Sequence, residues 1–257
     1  MSMNASRYGV KLTKARIDWA GQCIDNFIRQ ADAFLQDGPY EVVKQAQDDG
    51  EGNFRVTFNL RILSEPPHAV RFTCGDAIHN LRAIVDNLVW TLAKTMSLTS
   101  KHGNFGLGLY DTREEFIKRY LPKIESFPPV IIDWIEHEQP YNRPNELHIL
   151  HCINRLWNED KHRAPILMAS AVAGFGLGGN LKRFASSTCG ALEDGDKVAV
   201  ATVSTMNDVK NCNPKFVYDV ALAKSSPAHD VPARSFLRRT HQYIFNEVLP
   251  KFEPLLS

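Results

Sequence analysis

Apolar residues recur along this chain with two different rhythms, and the rhythms divide it into helices and strands. The longest helical pattern covers residues 70–96, where Ile78, Leu81, Ile84, Val85, Leu88, Val89 and Leu92 fall on one side. Residues 11–35 keep the same spacing through Leu12, Ile17, Ala20, Ile24, Phe27, Ile28, Ala31 and Phe34, and Asp37-Gly38-Pro39 stops it. Between these helices, residues 40–47 and 54–63 alternate in the manner of strands, with Val56, Phe58, Leu60 and Ile62 on one face of the second. Asp48 to Asn53, rich in Asp and Gly, supplies the turn of a hairpin.

After an irregular, glycine-containing stretch at 97–109 the pattern becomes helical again. Asp111 or Thr112 caps a helix running to Tyr120, a second covers 130–138, and a third covers 145–161 with Pro144 in its first turn and Ile149, Leu150, Ile153, Leu156 and Trp157 on its apolar side. Beyond Pro165 the texture changes to β-prone runs at 166–173, 181–187, 197–205 and 215–222, separated by Gly, Asn and Asp clusters. Gly174 to Gly179 lacks the Lys-Ser/Thr pair of a phosphate loop, so it reads as a strand connection. A closing helix at 233–249 presents Phe236, Tyr243, Ile244 and Val248. The expected fold is α+β: an antiparallel helical bundle with an N-terminal β-hairpin, followed by a small antiparallel sheet and a C-terminal helix. The expected division is 1–163 for the bundle with its inserted hairpin and 164–257 for the β-region with the closing helix, packed together.

Composition narrows the class. Across 257 residues, 30 basic and 29 acidic side chains leave a formal net charge of +1, so no global field marks a nucleic-acid or membrane binder. The five cysteines, Cys23, Cys74, Cys152, Cys189 and Cys212, are scattered and never form C-x-x-C, which suits a reduced compartment and not a disulfide framework or zinc ribbon. With no signal-type N-terminus and no run long enough to span a bilayer, the expectation is a cytoplasmic protein without a membrane partner.

The chemistry-bearing side chains concentrate in two pieces. On the polar side of the 70–96 helix lie Asp76, His79, Asn80, Asp86 and Asn87, with Arg82 at the edge. The spacing of His79, Arg82 and Asp86 brings an imidazole, a guanidinium and a carboxylate onto one face, where they can shift one another's protonation. The second piece is the end of the 145–161 helix: Arg155 and Asn158, then Asp160, Lys161, His162 and Arg163. Facing the central helix, His162 could move a proton while Lys161, Arg163 and Arg82 hold a phosphate. Each piece also has a plain structural reading. Arg82 and Asp86 can form an intrahelical pair, and cations at a helix C-terminus complement its dipole without further purpose. Asp76, His79, Asp86, His151, Asp160 and His162 are metal-ligand types, but none has the H-E-x-x-H or E-x-x-H spacing of helical metal sites, so neither metal nor cofactor is assigned. Cys74 and Cys152 lie on apolar helix sides, the usual place of inert buried thiols.

These motifs resemble those of a bacterial family of uncharacterised function, in which a G-D-x-x-H-N-L-R-x-x-x-D-H-like helix is followed by Q-P-Y and D-K-H-R. Here the matching pieces are Gly75-Asp76, His79 to Arg82, Asp86-Asn87, Gln139-Pro140-Tyr141 and Asp160 to Arg163. The resemblance implies that these residues belong to one site. A looser resemblance is to HEPN-type helical proteins, many of them ribonucleases, whose signature is Arg, a short gap and His. With a gap of four to six residues, Arg155 and His162 have that spacing with six between, whereas Arg82 is followed after four by Asn87 in place of the histidine. That resemblance implies RNA or another phosphate-bearing ligand as partner, metal-independent cleavage with His162, Arg82, His79 and Asp86 as catalytic candidates, and a homodimer as a candidate assembly. Two alternatives stand beside it: a non-catalytic interaction or small-ligand-binding protein whose polar residues form a structural network, and a small-molecule enzyme, with or without a metal.

Overall fold

The computed structural model describes residues 2–98, 105–142, 148–160, 167–174, 181–186 and 190–256. In chain order its elements are α1 (Ser2–Gln36), β1 (Tyr40–Asp48), β2 (Phe54–Ile62), α2 (His68–Thr95), α3 (Arg113–Arg119), α4 (Leu121–Ile124), α5 (Pro129–His137), α6 (Ile149–Asp160), β3 (Leu167–Gly174), β4 (Leu181–Ser186), β5 (Lys197–Val203), α7 (Met206–Asn211), β6 (Lys215–Leu222), α8 (Ala233–Tyr243) and α9 (Leu249–Leu256). The fold is α+β with antiparallel sheets, and the N-terminal hairpin is present. Among the described residues no helix is long and apolar enough to cross a membrane.

The chain forms two compact units, residues 1–27, 72–164 and 236–257 in one and residues 28–71 and 165–235 in the other. This differs from the expected division at 163/164, and the reason is pairing. The hairpin does not sit in the bundle; β2 bonds antiparallel to β5, giving a four-stranded sheet in the order β1-β2-β5-β4. Its inner face, Val56, Phe58 and Leu60, is buried, so the alternation that identifies β2 needs apolar partners that only the later strands supply. Phe58 meets Phe216 and Tyr40 meets Tyr218, rings carried by β6 of the second sheet, β3-β6. In the hairpin turn, Asp49 Oδ1 accepts the Glu51 and Asn53 amides, while Gly50 and Gly52 both take φ of 79°, a conformation open to glycine.

In the helical unit, α2 is the central element. Cys74, Ala77, Ile78, Leu81, Ile84, Val85, Leu88, Val89, Leu92 and Ala93 are all buried, a stripe too wide for a surface helix. Helix α1 begins at Ser2, earlier than its apolar rhythm indicates, and Ile17, Ala20, Ile24 and Phe27 carry its buried stripe. Thr112 caps α3 by accepting the Glu115 amide. The closing helix runs beyond 249. A π turn at Ile244–Val248 joins α8 to α9, so that Pro250 falls in the first turn of a new helical segment, where its missing N–H is harmless. Phe252 then packs edge-on against Trp134.

Candidate functional site

Arg82 is the best-connected polar side chain of α2. It is buried, its charge is held by Asp86 one turn further on, with Nη1 2.6 Å from Oδ1, and its Nε donates to Asn154 Oδ1 of α6 at 3.0 Å. Its Nη2 donates to the Leu107 carbonyl at 2.6 Å, and the guanidinium lies 5.4 Å from the centre of the Trp157 ring. Trp157 also donates its indole N–H to His79 Nδ1 at 3.1 Å. His79, Arg82 and Asp86 are thus brought into one network, but through Trp157, a residue whose helix position suggests only core.

The segment 105–110, which runs from the irregular stretch at 97–109, is tied down by side chains. Tyr120 donates to the Gly106 carbonyl at 2.5 Å; Asp86 Oδ1 accepts the Leu107 amide at 2.8 Å. On the far side, Gln139, wholly buried, donates Nε2 to the carbonyls of Gly108 and Ile135, both at 3.0 Å, and accepts the Tyr110 amide at 2.9 Å. Backbone groups of Gly106, Leu107, Gly108 and Tyr110, outside any helix or strand, are thereby satisfied by side chains, and Leu107 can be buried. Both glycines of the segment are required by close approach: a Cβ at Gly106 would stand 2.7 Å from Asp86 Oδ1, and one at Gly108 2.5 Å from the Tyr120 ring.

The other expected site residues are placed as follows. Asn80 donates to the Asp76 carbonyl at 2.8 Å and stands 3.5 Å from Cys23 Sγ of α1, so Asp76 and Asn80 are directed to α1 and not to the Arg82 network. Asn87 turns its amide onto the Ala83 carbonyl at 2.6 Å. Arg155 and Asn158 are exposed on α6, and Asp160 ends that helix. Lys161, His162 and Arg163 lie outside the described residues.

Beside the Arg82 network opens a cleft of about 460 Å³, lined by Trp90, Phe105, Tyr110, Tyr120 and Trp157 with Asn87, Lys123 and the edges of Arg82 and Asp86. The cleft is open to solvent, and its volume falls in the range of small-molecule pockets. Nucleophilic thiol chemistry is disfavoured nearby: burial pushes the Cys152 thiol up to about 11 and raises that of Cys23, where the charge of Asp76 adds to the effect. His151 is shifted down by burial and so stays neutral at physiological pH. Among the described residues, no group of three or more His, Cys, Asp and Glu is arranged to hold a metal.

A second buried polar cluster went unpredicted. Glu138 accepts from the Tyr243 hydroxyl at 2.7 Å. His148 caps α6 by accepting the His151 amide at Nδ1, which places its proton on Nε2, 3.5 Å from Glu138 Oε2. It ties α5 to α8 and α6 and does not line the cleft. No family model matches this chain, and neither does any curated protein or solved structure.

Proposed function

We propose that this protein is a small-ligand-binding protein, with the cleft beside Trp90 and Trp157 as its site and the His79, Arg82 and Asp86 network as the scaffold of that site. One observation carries the reading. Arg82 is 5% exposed, and its Nε, Nη1 and Nη2 each donate to an acceptor inside the protein. A guanidinium that grips a scissile phosphate presents a free fork of N–H groups to it. Here each nitrogen of the fork is already engaged, by Asp86, Asn154 and Leu107.

What the cleft offers a ligand is aromatic surface with the cation Lys123 at its edge, and Lys94 stands 5.6 Å from the centre of the Trp90 ring. Ring stacking on Trp90, with an anionic substituent near Lys123, fits a planar molecule bearing a phosphate or carboxylate. A mononucleotide meets both demands, which keeps the phosphate-bearing class of ligand in view without a cleavage step.

The test is a tryptophan-fluorescence titration with adenosine and then adenosine monophosphate, run beside incubation of the protein with single-stranded RNA in EDTA. The reading expects quenching that disappears in Trp90→Ala, weaker monophosphate binding in Lys123→Ala, and intact RNA. RNA cleaved by wild type but not by His162→Ala would replace it with the ribonuclease reading.

A further inference from the structure

On the β-sheet of the other unit, strand register sets two arginines on either side of one hydroxyl. Arg55 of β2 is directly opposite Thr202 of β5, and Arg183 of β4 is opposite the same Thr202. Residues paired across antiparallel strands point to the same face, so Arg55, Thr202 and Arg183 form a row. Two strand spacings separate the arginines, about 10 Å between their Cα atoms, a distance at which two long side chains can close on one anion. The next row on that face is Thr57, Val200 and Ala185. A surface cavity of about 690 Å³ is lined by Arg55, Thr202 and Arg183 from the first row and by Val200 and Ala185 from the second.

Both arginines are exposed, and among the described residues neither has an acidic partner. Of the other cations of this sheet, Arg61 pairs with Glu41 at 3.1 Å, and Lys44 is held by the Val209 and Cys212 carbonyls. Lys182, next to Arg183, is tied to Asn53. Asp49 also borders the cavity as a carboxylate, kept charged by the Glu51 and Asn53 amides that its Oδ1 accepts, and the neighbouring Lys182 offsets that charge.

We infer that this row is a binding site for a phosphate monoester, whose phosphate is shared by Arg55 and Arg183 over the Thr202 hydroxyl and whose uncharged body lies on Val200 and Ala185. Guanidinium groups bind phosphate through paired N–H donors, and two of them match the double charge of a monoester. The small side chains of the second row leave the room for the body that a flat sheet would otherwise fill.

Calorimetric titration of the full chain with ethyl phosphate, which has no ring to stack in the aromatic cleft, and with inorganic phosphate, at constant ionic strength in chloride, tests this. Both bind wild type, and Arg55→Ala or Arg183→Ala each weakens binding by about tenfold or more. Arg61→Ala, on the same sheet, leaves it unchanged. All three are surface substitutions, and unaltered melting temperatures verify that each variant is folded. Unchanged affinity in the Arg55→Ala and Arg183→Ala variants overturns the inference. So does loss of binding in Lys123→Ala, which assigns the phosphate to the cleft, or binding of an RNA oligomer with no response to either small phosphate.

Discussion

Arg82 and Asp86 stand one helical turn apart on α2 with Nη1 2.6 Å from Oδ1, and that same carboxylate oxygen accepts the Leu107 amide at 2.8 Å. One carboxylate therefore fixes a buried charge and a stretch of otherwise unpaired backbone together. Removing it strands both. Asp86→Ala leaves the Arg82 guanidinium, only 6% exposed at its side chain, without a counter-charge, and a loss of about 3 kcal/mol follows from breaking a buried pair on one side. Urea denaturation measures it; a change under about 1 kcal/mol would mean that the pair is solvated in solution.

Gly106 depends on the same oxygen. An alanine there would bring its Cβ to 2.7 Å from Asp86 Oδ1, so Gly106→Ala is expected to cost about 1–3 kcal/mol in the wild-type background. In an Asp86→Ala background the clash is gone and most of the penalty should vanish. A double-mutant cycle reads this directly, and additive effects would count against the contact.

Tyr120 makes the strap sensitive to alkali. Burial raises its phenol above the ordinary value, so the folded chain holds that proton more tightly than the unfolded chain. The resulting stabilisation is fully present below the unfolded value of about 10 and is lost as pH rises through the folded one. Between pH 9 and 11 the denaturation midpoint of wild type should fall more steeply than that of Tyr120→Phe, which cannot ionise. Parallel curves would show that the hydroxyl is not buried against Gly106.

The two cleft tryptophans should separate stability from binding. Trp90 is 44% exposed, so Trp90→Ala is expected to shift stability by about 0.5 kcal/mol or less while removing the stacking surface for a ring ligand. Trp157 lies under Arg82 and donates to His79, and Trp157→Ala should cost about 2 kcal/mol or more as well as weakening the ligand. Thermal melts with and without adenosine distinguish the two; equal stability losses would contradict the division of roles.

Much of the architecture is legible in the sequence because periodicity reports local geometry. The alternation of Val56, Phe58 and Leu60 and the 3.6-residue stripe of α2 are each properties of a single element. What covers such a face is a non-local fact, and so the pairing of β2 with β5, and with it the grouping of the hairpin with the later strands, does not follow from either pattern. The polar face of α2 is equally legible as a list of residues, and Arg82 with Asp86 follows from helical spacing. Their third partner does not. Leu107 reaches them from a segment with no periodic signal, and the small residues Gly106 and Gly108 are the mark of that approach, visible only as glycines in a loop. Trp157 sits where sequence suggests a core position, yet it closes the network from α6; Gln139, just beyond α5, reads in the sequence as a helix end, and only the Q-P-Y resemblance groups it with the site.

Arg82, Asp86 and Gln139 act together as a clamp on residues 106–110. Site-resolved amide hydrogen exchange of Leu107 and Tyr110, in wild type, Asp86→Ala and Gln139→Ala, tests it most directly. In wild type both amides should be strongly protected; Asp86→Ala, which removes the acceptor, should release Leu107 and Gln139→Ala should release Tyr110, while amides in the centre of α2 stay protected. Exchange of Leu107 and Tyr110 at unstructured rates in wild type would contradict the clamp and return Arg82 to the list of groups free to meet a ligand.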